Sequence, residues 1–133
     1  MSQQKNARGT GLVFVGQLVV SALTPVIEGT RASLTDGPSM ARYEGWILTR
    51  LSVDHRNLTA SATTTVQIQS NDNTNLCGAF DPVSQTKLVN AYQRKLAAGD
   101  VAGAWKVHVT DSSGMALTGG KMDVYAEFIR PRS

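Results

Sequence analysis

Cysteine and histidine, the residues that most often hold metal ions or carry nucleophilic chemistry, are scarce in this sequence. Cys77 is the single cysteine, and the histidines are His55 and His108. A lone cysteine excludes an internal disulfide and gives no sign of a cysteine-ligated metal. Two histidines without a positioned carboxylate do not make a zinc site either. We therefore expect no metal and no cofactor.

The motifs of common enzyme classes are also missing. The chain has no Gly-x-Ser-x-Gly elbow, no phosphate-binding Walker loop and no His-Glu-x-x-His segment. Asp54 precedes His55, which suggests a catalytic pair. Neighbouring residues of a strand point to opposite faces, however, so neither side chain would orient the other. The sequence predicts a protein that is not an enzyme.

Charge and apolar length set further limits. The chain has 13 Lys and Arg against 10 Asp and Glu, with no dense basic block, whereas nucleic-acid binders usually carry a clustered basic stripe. The longest apolar run, Gly11 to Leu23, is interrupted and too short to span a bilayer. No apolar signal-peptide core precedes Leu12. We expect no direct nucleic-acid binding, no membrane insertion, and a protein that stays in the cell that makes it or leaves by lysis.

The sequence does contain a regular alternation of apolar and polar residues, most clearly between Gly103 and Arg130. Two runs there place apolar side chains at every second position: Trp105, Val107 and Val109, then Met122, Val124, Ala126 and Phe128. Turn residues follow the first run at 111–114 and precede the second at Gly119-Gly120. A period of two is typical of half-buried strands, so this segment predicts an antiparallel strand pair with a shared core.

Further strands are predicted in the first half of the chain. Their ranges are Leu12 to Leu23, Thr30 to Leu34, Arg42 to Asp54 and Thr63 to Ser70, with a turn at Asn57 to Ser61. The polar loop at 71–75 lacks the glycine and the closing glutamate of a calcium-binding EF-hand, so its residues indicate an ordinary turn.

One segment, from Pro82 to Gly99, carries a helical pattern instead. Apolar residues recur at four-residue intervals, at Leu88, Tyr92 and Leu96. This spacing, with a proline at the start and a glycine at the end, predicts a helix over about 82–98. Lys87 and Arg94 would share a basic face of that helix.

Together these elements predict an all-β protein, a jelly roll or related Greek-key β-sandwich with that one crossover helix. Residues 1–10 are expected to form a flexible N-terminal arm, residues 11–130 a single sandwich domain, and residues 131–133 a C-terminal tail. Pro131 supports the last boundary, because proline cannot donate a hydrogen bond to a neighbouring strand.

Two stretches resemble a known domain. GAWKVHVTDSSG, followed by a strand ending in Glu-Phe, resembles the closing part of the P domain of subtilisin-like proprotein convertases, and LSVDHRNLT looks like an earlier strand and turn of it. The likeness covers about a third of the chain, and Arg56-Asn57-Leu58 replaces the Gly-Asp-Leu turn of that family. It implies a jelly-roll-like sandwich and carries no implication for function.

The whole chain resembles a second group in form. A polar arm, a jelly-roll strand order, no active site and the basic tail FIRPRS look like the capsid cement or decoration proteins of tailed bacteriophages, in the form of the jelly-roll cement protein of Bordetella-type phages. This resemblance implies a virion protein on the capsid exterior, made in the host cytoplasm. It would bind the major capsid protein, stiffen the shell, and act as a homo-oligomer, with a dimer expected.

The sequence offers candidate contact residues for such a role, all of them basic. They are Lys5 and Arg8 in the arm, Lys87 and Arg94 in the predicted helix, and Arg130 and Arg132 at the C-terminal end. The alternative is a carbohydrate- or protein-binding β-sandwich module without catalytic activity. Such a module would present Trp46, Tyr43 or Tyr125 in a coplanar, exposed row.

Overall fold

The computed structural model describes residues 9–21, 26–27, 29–59, 64–82, 87–111 and 116–130. Within these ranges the chain forms nine strands: Gly9–Val20 (β1), Val26–Ile27 (β2), Arg31–Ser33 (β3), Ile47–Thr59 (β4), Thr64–Gln69 (β5), Lys87–Asn90 (β6), Lys106–Asp111 (β7), Ala116–Leu117 (β8) and Gly119–Ile129 (β9). Two 3-10 turns, Ala41–Tyr43 and Ala98–Asp100, complete the regular structure of these residues.

The strands form two antiparallel sheets that face each other. The large sheet has the order β1-β9-β4-β6 and the small sheet the order β3-β7-β5, while β2 and β8 form a separate ladder. Beyond β5, a segment ending at Phe80 extends the small sheet, because Val66 and Phe80 exchange backbone hydrogen bonds of 2.8 and 2.9 Å. The first and last long strands are neighbours, and successive strands from β3 to β7 alternate between the two sheets. This order is that of a jelly roll, so the predicted all-β sandwich is confirmed.

The core lies between the two sheets, and the alternation in the sequence explains its composition. The inward side chains of β7 and β9 are fully buried, namely Val107, Val109, Met122, Val124, Ala126 and Phe128, together with Trp105 just before β7. The ring centroid of Trp105 is 6.0 Å from that of Phe128. The prediction that these residues face one another in the core is confirmed.

The predicted pairing of these two strands with each other is wrong. β7 pairs with β3 and β5, whereas β9 pairs with β1 and β4. The two strands face each other across the core from different sheets. Strands that follow each other in a jelly roll switch sheets, and alternation alone carries no information about which strand is the hydrogen-bonded neighbour.

The predicted crossover helix over 82–98 is also wrong. Lys87–Asn90 is strand β6, which pairs with residues 50–53 of β4, and Gln93 has a positive φ of 60° that a helix does not contain. Leu88 and Tyr92 are more than half exposed, whereas Leu96 is buried. The three residues therefore share no buried face. Residues 83–86 of the predicted helix lie outside the described residues.

Of the turn predicted at Asn57 to Ser61, residues 57–59 belong to β4, and residues 60 and 61 lie outside the described residues. The turn predicted at Gly119-Gly120 falls within β9. β4 continues to Thr59 and β9 begins at Gly119, with a register shift between Arg56 and Thr59. Asn57 has φ of 54° and Gly120 φ of 96°. A Cβ atom on Gly120 would lie 2.3 Å from the backbone oxygen of Asn57. These turn-forming residues therefore make a β-bulge, and only glycine fits at position 120.

The start of the domain differs slightly from the predicted boundary. Gly9 and Thr10, assigned to the arm from the sequence, belong to β1, and the hydroxyl oxygen of Thr10 accepts a 3.0 Å hydrogen bond from the backbone N–H of Phe128. Residues 1–8 and 131–133, the rest of the predicted arm and tail, lie outside the described residues.

Candidate interaction surface

Of the six basic residues predicted as contacts, only Arg94 and Arg130 have side chains among those the structure describes. Lys5, Arg8 and Arg132 lie outside the described residues, and so does the side chain of Lys87, whose backbone is in β6. For these four the contact role stays a prediction. The two that are described have intramolecular contacts.

Arg94 forms an ion pair with a buried carboxylate. Its Nη2 lies 2.8 Å from Oδ2 of Asp100, which also accepts a 2.8 Å hydrogen bond from the backbone N–H of Ala97. Asp100 is fully buried, and its Oδ1 has no hydrogen-bond partner within the described chain. A buried carboxylate requires a compensating charge. Arg94 therefore stabilises the 94–100 segment.

Arg130 lies over an aromatic ring at the end of β9. Its guanidinium carbon is 5.9 Å from the ring centroid of Trp46, a distance at which a cation is attracted to the face of an indole. The ring of Trp46 in turn meets Tyr43 edge-on, with centroids 5.6 Å apart. Arg130, the residue that follows β9, therefore contacts the aromatic pair of Trp46 and Tyr43.

The aromatic residues suggested for carbohydrate binding do not form a flat exposed row. Tyr43 is buried and stacks on Phe128, with ring centroids 4.0 Å apart. The rings of Tyr43 and Trp46 are perpendicular, at 88°, and Tyr125 meets Phe14 edge-on. Sugar rings stack on coplanar, accessible aromatic faces, so this geometry disfavours the carbohydrate-binding alternative.

The groups closest to catalytic chemistry are not arranged for it. In β4, Asp54 lies opposite Asp123, and His55 lies opposite Met122, so the two side chains point to opposite faces. Nδ1 of His55 has no hydrogen-bond partner among the described residues. Cys77 is fully buried, and burial raises the pKa of its thiol. A thiol in such a place stays protonated and unreactive.

Across the ranges that the structure describes, no three His, Cys, Asp or Glu side chains come close enough to hold a metal ion. No helix in those ranges has the length and apolar character needed to cross a bilayer.

The outer side of the large sheet carries several apolar side chains, and we call it the apolar face. Phe14, Tyr125, Ser52 and Leu88 lie opposite one another on the four strands. Leu12 and Val19 of β1 lie on the same side, and Val19 and Leu88 are more than half exposed. Contiguous apolar surface on a small protein is typical of interaction sites, so the apolar face is a candidate for one.

Charged groups also lie on the apolar face, and two of them, Arg50 and Glu127, are paired with each other. Arg50 contacts Glu127 with Nε and Oε1 3.1 Å apart, and the hydrogen bond from Arg50 holds the pKa of Glu127 below its ordinary value. The amide of Gln17 donates a 2.7 Å hydrogen bond to Asp123. Both signs of charge are therefore present beside the apolar side chains.

The outer side of the small sheet is polar and basic, and we call it the basic face. Two rows of opposed residues cross it: Arg31, His108 and Gln67, then Ser33, Lys106 and Gln69. Burial and the charge of Arg31 lower the pKa of His108. None of these residues is among the contacts predicted from the sequence. The alternation of apolar and polar residues could have identified them, because it places Lys106 and His108 together on the polar side of β7.

A cleft of about 430 Å³ opens between the loop at 36–40 and the loop at 101–104. Its base is apolar, from Val15, Leu34, Met40 and Val101, and Asp36 and Ser39 line it as well. No cluster of chemically active side chains lines it.

Solved structures with a similar fold include chains from two phage capsids. A chain of the cyanophage Pam1 capsid asymmetric unit matches with a TM-score of 0.61 and 13% identity, over 92% of this chain and 87% of that chain. A chain of the capsid of Ralstonia phage GP4 matches with a TM-score of 0.49 and 13% identity, over 92% and 84%. No protein-family model and no curated protein sequence matches the chain.

The Pam1 chain has the higher TM-score of the two, 0.61. This chain has the fold of a phage capsid chain. At 13% identity the likeness concerns the fold alone. The resemblance to the P domain is limited to the two sequence stretches that carry it.

Proposed function

We propose that this protein is a structural component of a phage capsid, a cement or decoration protein on the outside of the shell. The observation that supports this most strongly is the fold shared over 92% of the chain with a chain of the Pam1 capsid asymmetric unit. The proposed partner is the major capsid protein. The protein would be made in the host cytoplasm, act without cofactor or catalysis, and end in the virion.

The proposed mechanism is the addition of buried surface across seams between capsid subunits. A standard protein interface buries about 1,600 Å² in total. Repeated over a shell, contacts that are individually weak produce strong retention through avidity. The arm residues Lys5 and Arg8 and the C-terminal Arg130 and Arg132 are proposed contact elements, since basic groups steer docking onto an acidic surface.

A dimer is part of the proposal, and the apolar face is the surface we assign to it. A twofold interface brings a patch against its own copy, so the patch must be complementary to itself. The apolar face meets this condition, because it combines exposed Leu12, Val19 and Leu88 with the internally paired Arg50 and Glu127. The basic face would place cations against cations.

The dimer is tested by light scattering during size-exclusion chromatography. Wild type should elute at twice the mass of one chain, and Val19→Asp with Leu88→Asp should elute as a monomer. Thr110→Asp, an exposed position of the small sheet, is the matched control and should stay dimeric. A wild-type monomer at high concentration would contradict the dimer.

The capsid role is tested on particles purified from cells that carry the gene for this chain. We expect the chain in the particles at a stoichiometry matching the shell, with electron microscopy showing sandwich-sized density on the outer surface across subunit seams. Particles made without the chain should break at a lower temperature. Its absence from purified particles, or its presence only inside the shell or in the tail, would overturn the proposal.

A further inference from the structure

The basic face is organised around an arginine that crosses the small sheet. Arg31 lies on β3 and Gln69 on β5, and β7 runs between them. Neighbouring strands are about 4.8 Å apart, so the two backbones are separated by nearly 10 Å. Nε of Arg31 nevertheless donates a 2.7 Å hydrogen bond to Oε1 of Gln69. The arginine side chain therefore extends over β7, between His108 and Lys106.

The position of this guanidinium group is fixed by a chain of hydrogen bonds. Gln69 is only 3% exposed, and its Nε2 donates a 2.7 Å hydrogen bond to Oδ1 of Asn75. The amide is thereby oriented with its oxygen toward Arg31. Because Nε of Arg31 is occupied, the two terminal nitrogens are the groups that remain to bind a partner, and they form a planar fork suited to a carboxylate.

Within the described residues, neither Arg31 nor Lys106 of this face forms an ion pair. The outward positions of β3, β5 and β7 with described side chains are Arg31, Ser33, Thr65, Gln67, Gln69, Lys106, His108 and Thr110. None of them is acidic. Nζ of Lys106 donates a 3.0 Å hydrogen bond to Oδ1 of Asn73, a neutral acceptor. Charge complementarity therefore calls for an acidic partner.

We propose that the basic face binds a carboxylate-rich protein surface, with the fork of Arg31 holding one carboxylate and Lys106 a second. Gln67 and Ser33 flank these cations and supply neutral hydrogen bonds. This inference rests on the proposed function, since it names the face that docks on the capsid subunit and the chemistry of the surface that receives it.

An acidic protein fits this face better than a nucleic acid does. Single-stranded nucleic acids are bound by aromatic platforms along a charged groove, and no Phe, Tyr or Trp side chain occupies an outward position among the described residues of β3, β5 and β7. Duplex binding requires many phosphate contacts to be strong at physiological salt. The two cations of this face, Arg31 and Lys106, are too few, whereas they suffice for one or two carboxylates.

The test is a titration of the full-length, ¹⁵N-labelled chain with a hexaglutamate peptide, followed by NMR at low salt. Shifts should concentrate on Arg31 Nε, the side-chain amides of Gln67 and Gln69, and the backbone of β7. Arg31→Gln with Lys106→Gln should weaken binding by about tenfold. Arg42→Gln with Lys121→Gln removes the same charge from exposed positions outside the small sheet, and it should change the affinity by less than about twofold.

A conservative variant separates charge from geometry. Arg31→Lys keeps the positive charge but lacks the fork, so it should lose several-fold affinity while giving a well-dispersed spectrum. Equal losses in both double variants, or peptide shifts spread over unrelated lysines and arginines, would overturn the proposal. Tighter binding of an octathymidylate oligonucleotide at the same residues would overturn it in favour of nucleic acid.

The outcome for the capsid role is independent, because no particle enters this titration. A chain that is absent from particles and still binds the peptide refutes the capsid role alone. A chain that is found in particles but does not bind the peptide through Arg31 refutes the assignment of the basic face alone.

Discussion

The indole Nε1 of Trp105 donates a 2.9 Å hydrogen bond to the backbone oxygen of Asp100. The same aspartate holds Arg94 through its carboxylate. The largest core side chain is thereby joined to the loop that precedes β7, so the packing of the sandwich and the shape of that loop depend on each other.

Trp105→Ala should destabilise the protein by about 3–5 kcal/mol, because it leaves a large cavity and removes the bond to Asp100. Trp105→Phe keeps an aromatic ring and loses the hydrogen bond, so it should cost clearly less. Urea titration followed by circular dichroism measures both. A loss below about 1 kcal/mol for the alanine variant would show that Trp105 is not a core residue.

Arg94→Met should destabilise the fold by about 3 kcal/mol, because it leaves the carboxylate of Asp100 buried without its partner. Lys121→Met, at an exposed position of β9, is the control and should change stability by less than about 0.5 kcal/mol. Thermal and urea unfolding check both. Unchanged stability of Arg94→Met together with lost particle binding would support the predicted contact role of Arg94 and contradict its role in stabilising Asp100.

Arg31→Gln should raise the pKa of His108 without restoring its ordinary value of 6.5, because burial, the larger cause of the lowering, remains. In the wild type, the imidazole of His108 binds a proton less readily in the folded state than in the unfolded state. The contribution of His108 to stability is therefore complete above the unfolded pKa and is lost as the pH falls through and below about 6.5. NMR titration of the imidazole measures the pKa. An unchanged value would show that Arg31 does not lie beside His108.

Most strands and the core could be predicted from the sequence, because apolar and polar residues must alternate along a half-buried strand. Trp105, Val107 and Val109 were identified from that period alone. Strand neighbours could not be predicted in the same way, since hydrogen-bonded partners in a jelly roll are distant in the chain. β1 and β9 pair through residues such as Phe14 and Tyr125, and no local pattern encodes such a contact.

The predicted helix shows how a local pattern misleads. Leu88, Tyr92 and Leu96 have helical spacing, but the free edge of β4 offers β6 a full set of backbone partners, and tertiary pairing overrides a weak helical propensity. The basic face was missed for a related reason. Arg31 and Gln69 are 38 positions apart, and only the fold brings them together over β7.

Deleting residues 1–8 should leave the melting temperature within about 2 °C of the wild type, because β1 begins at Gly9 and its contact through Thr10 to Phe128 is retained. Incorporation into particles should weaken, since the arm carries Lys5 and Arg8. Lys5→Gln with Arg8→Gln keeps the length of the arm and separates its charge from its bulk. Quantitative mass spectrometry of purified particles measures occupancy, and heating them measures shell stability. Truncated protein at full occupancy, in particles that survive heating as well as wild type, would show that the arm is not a contact element and would leave docking to the faces of the sandwich.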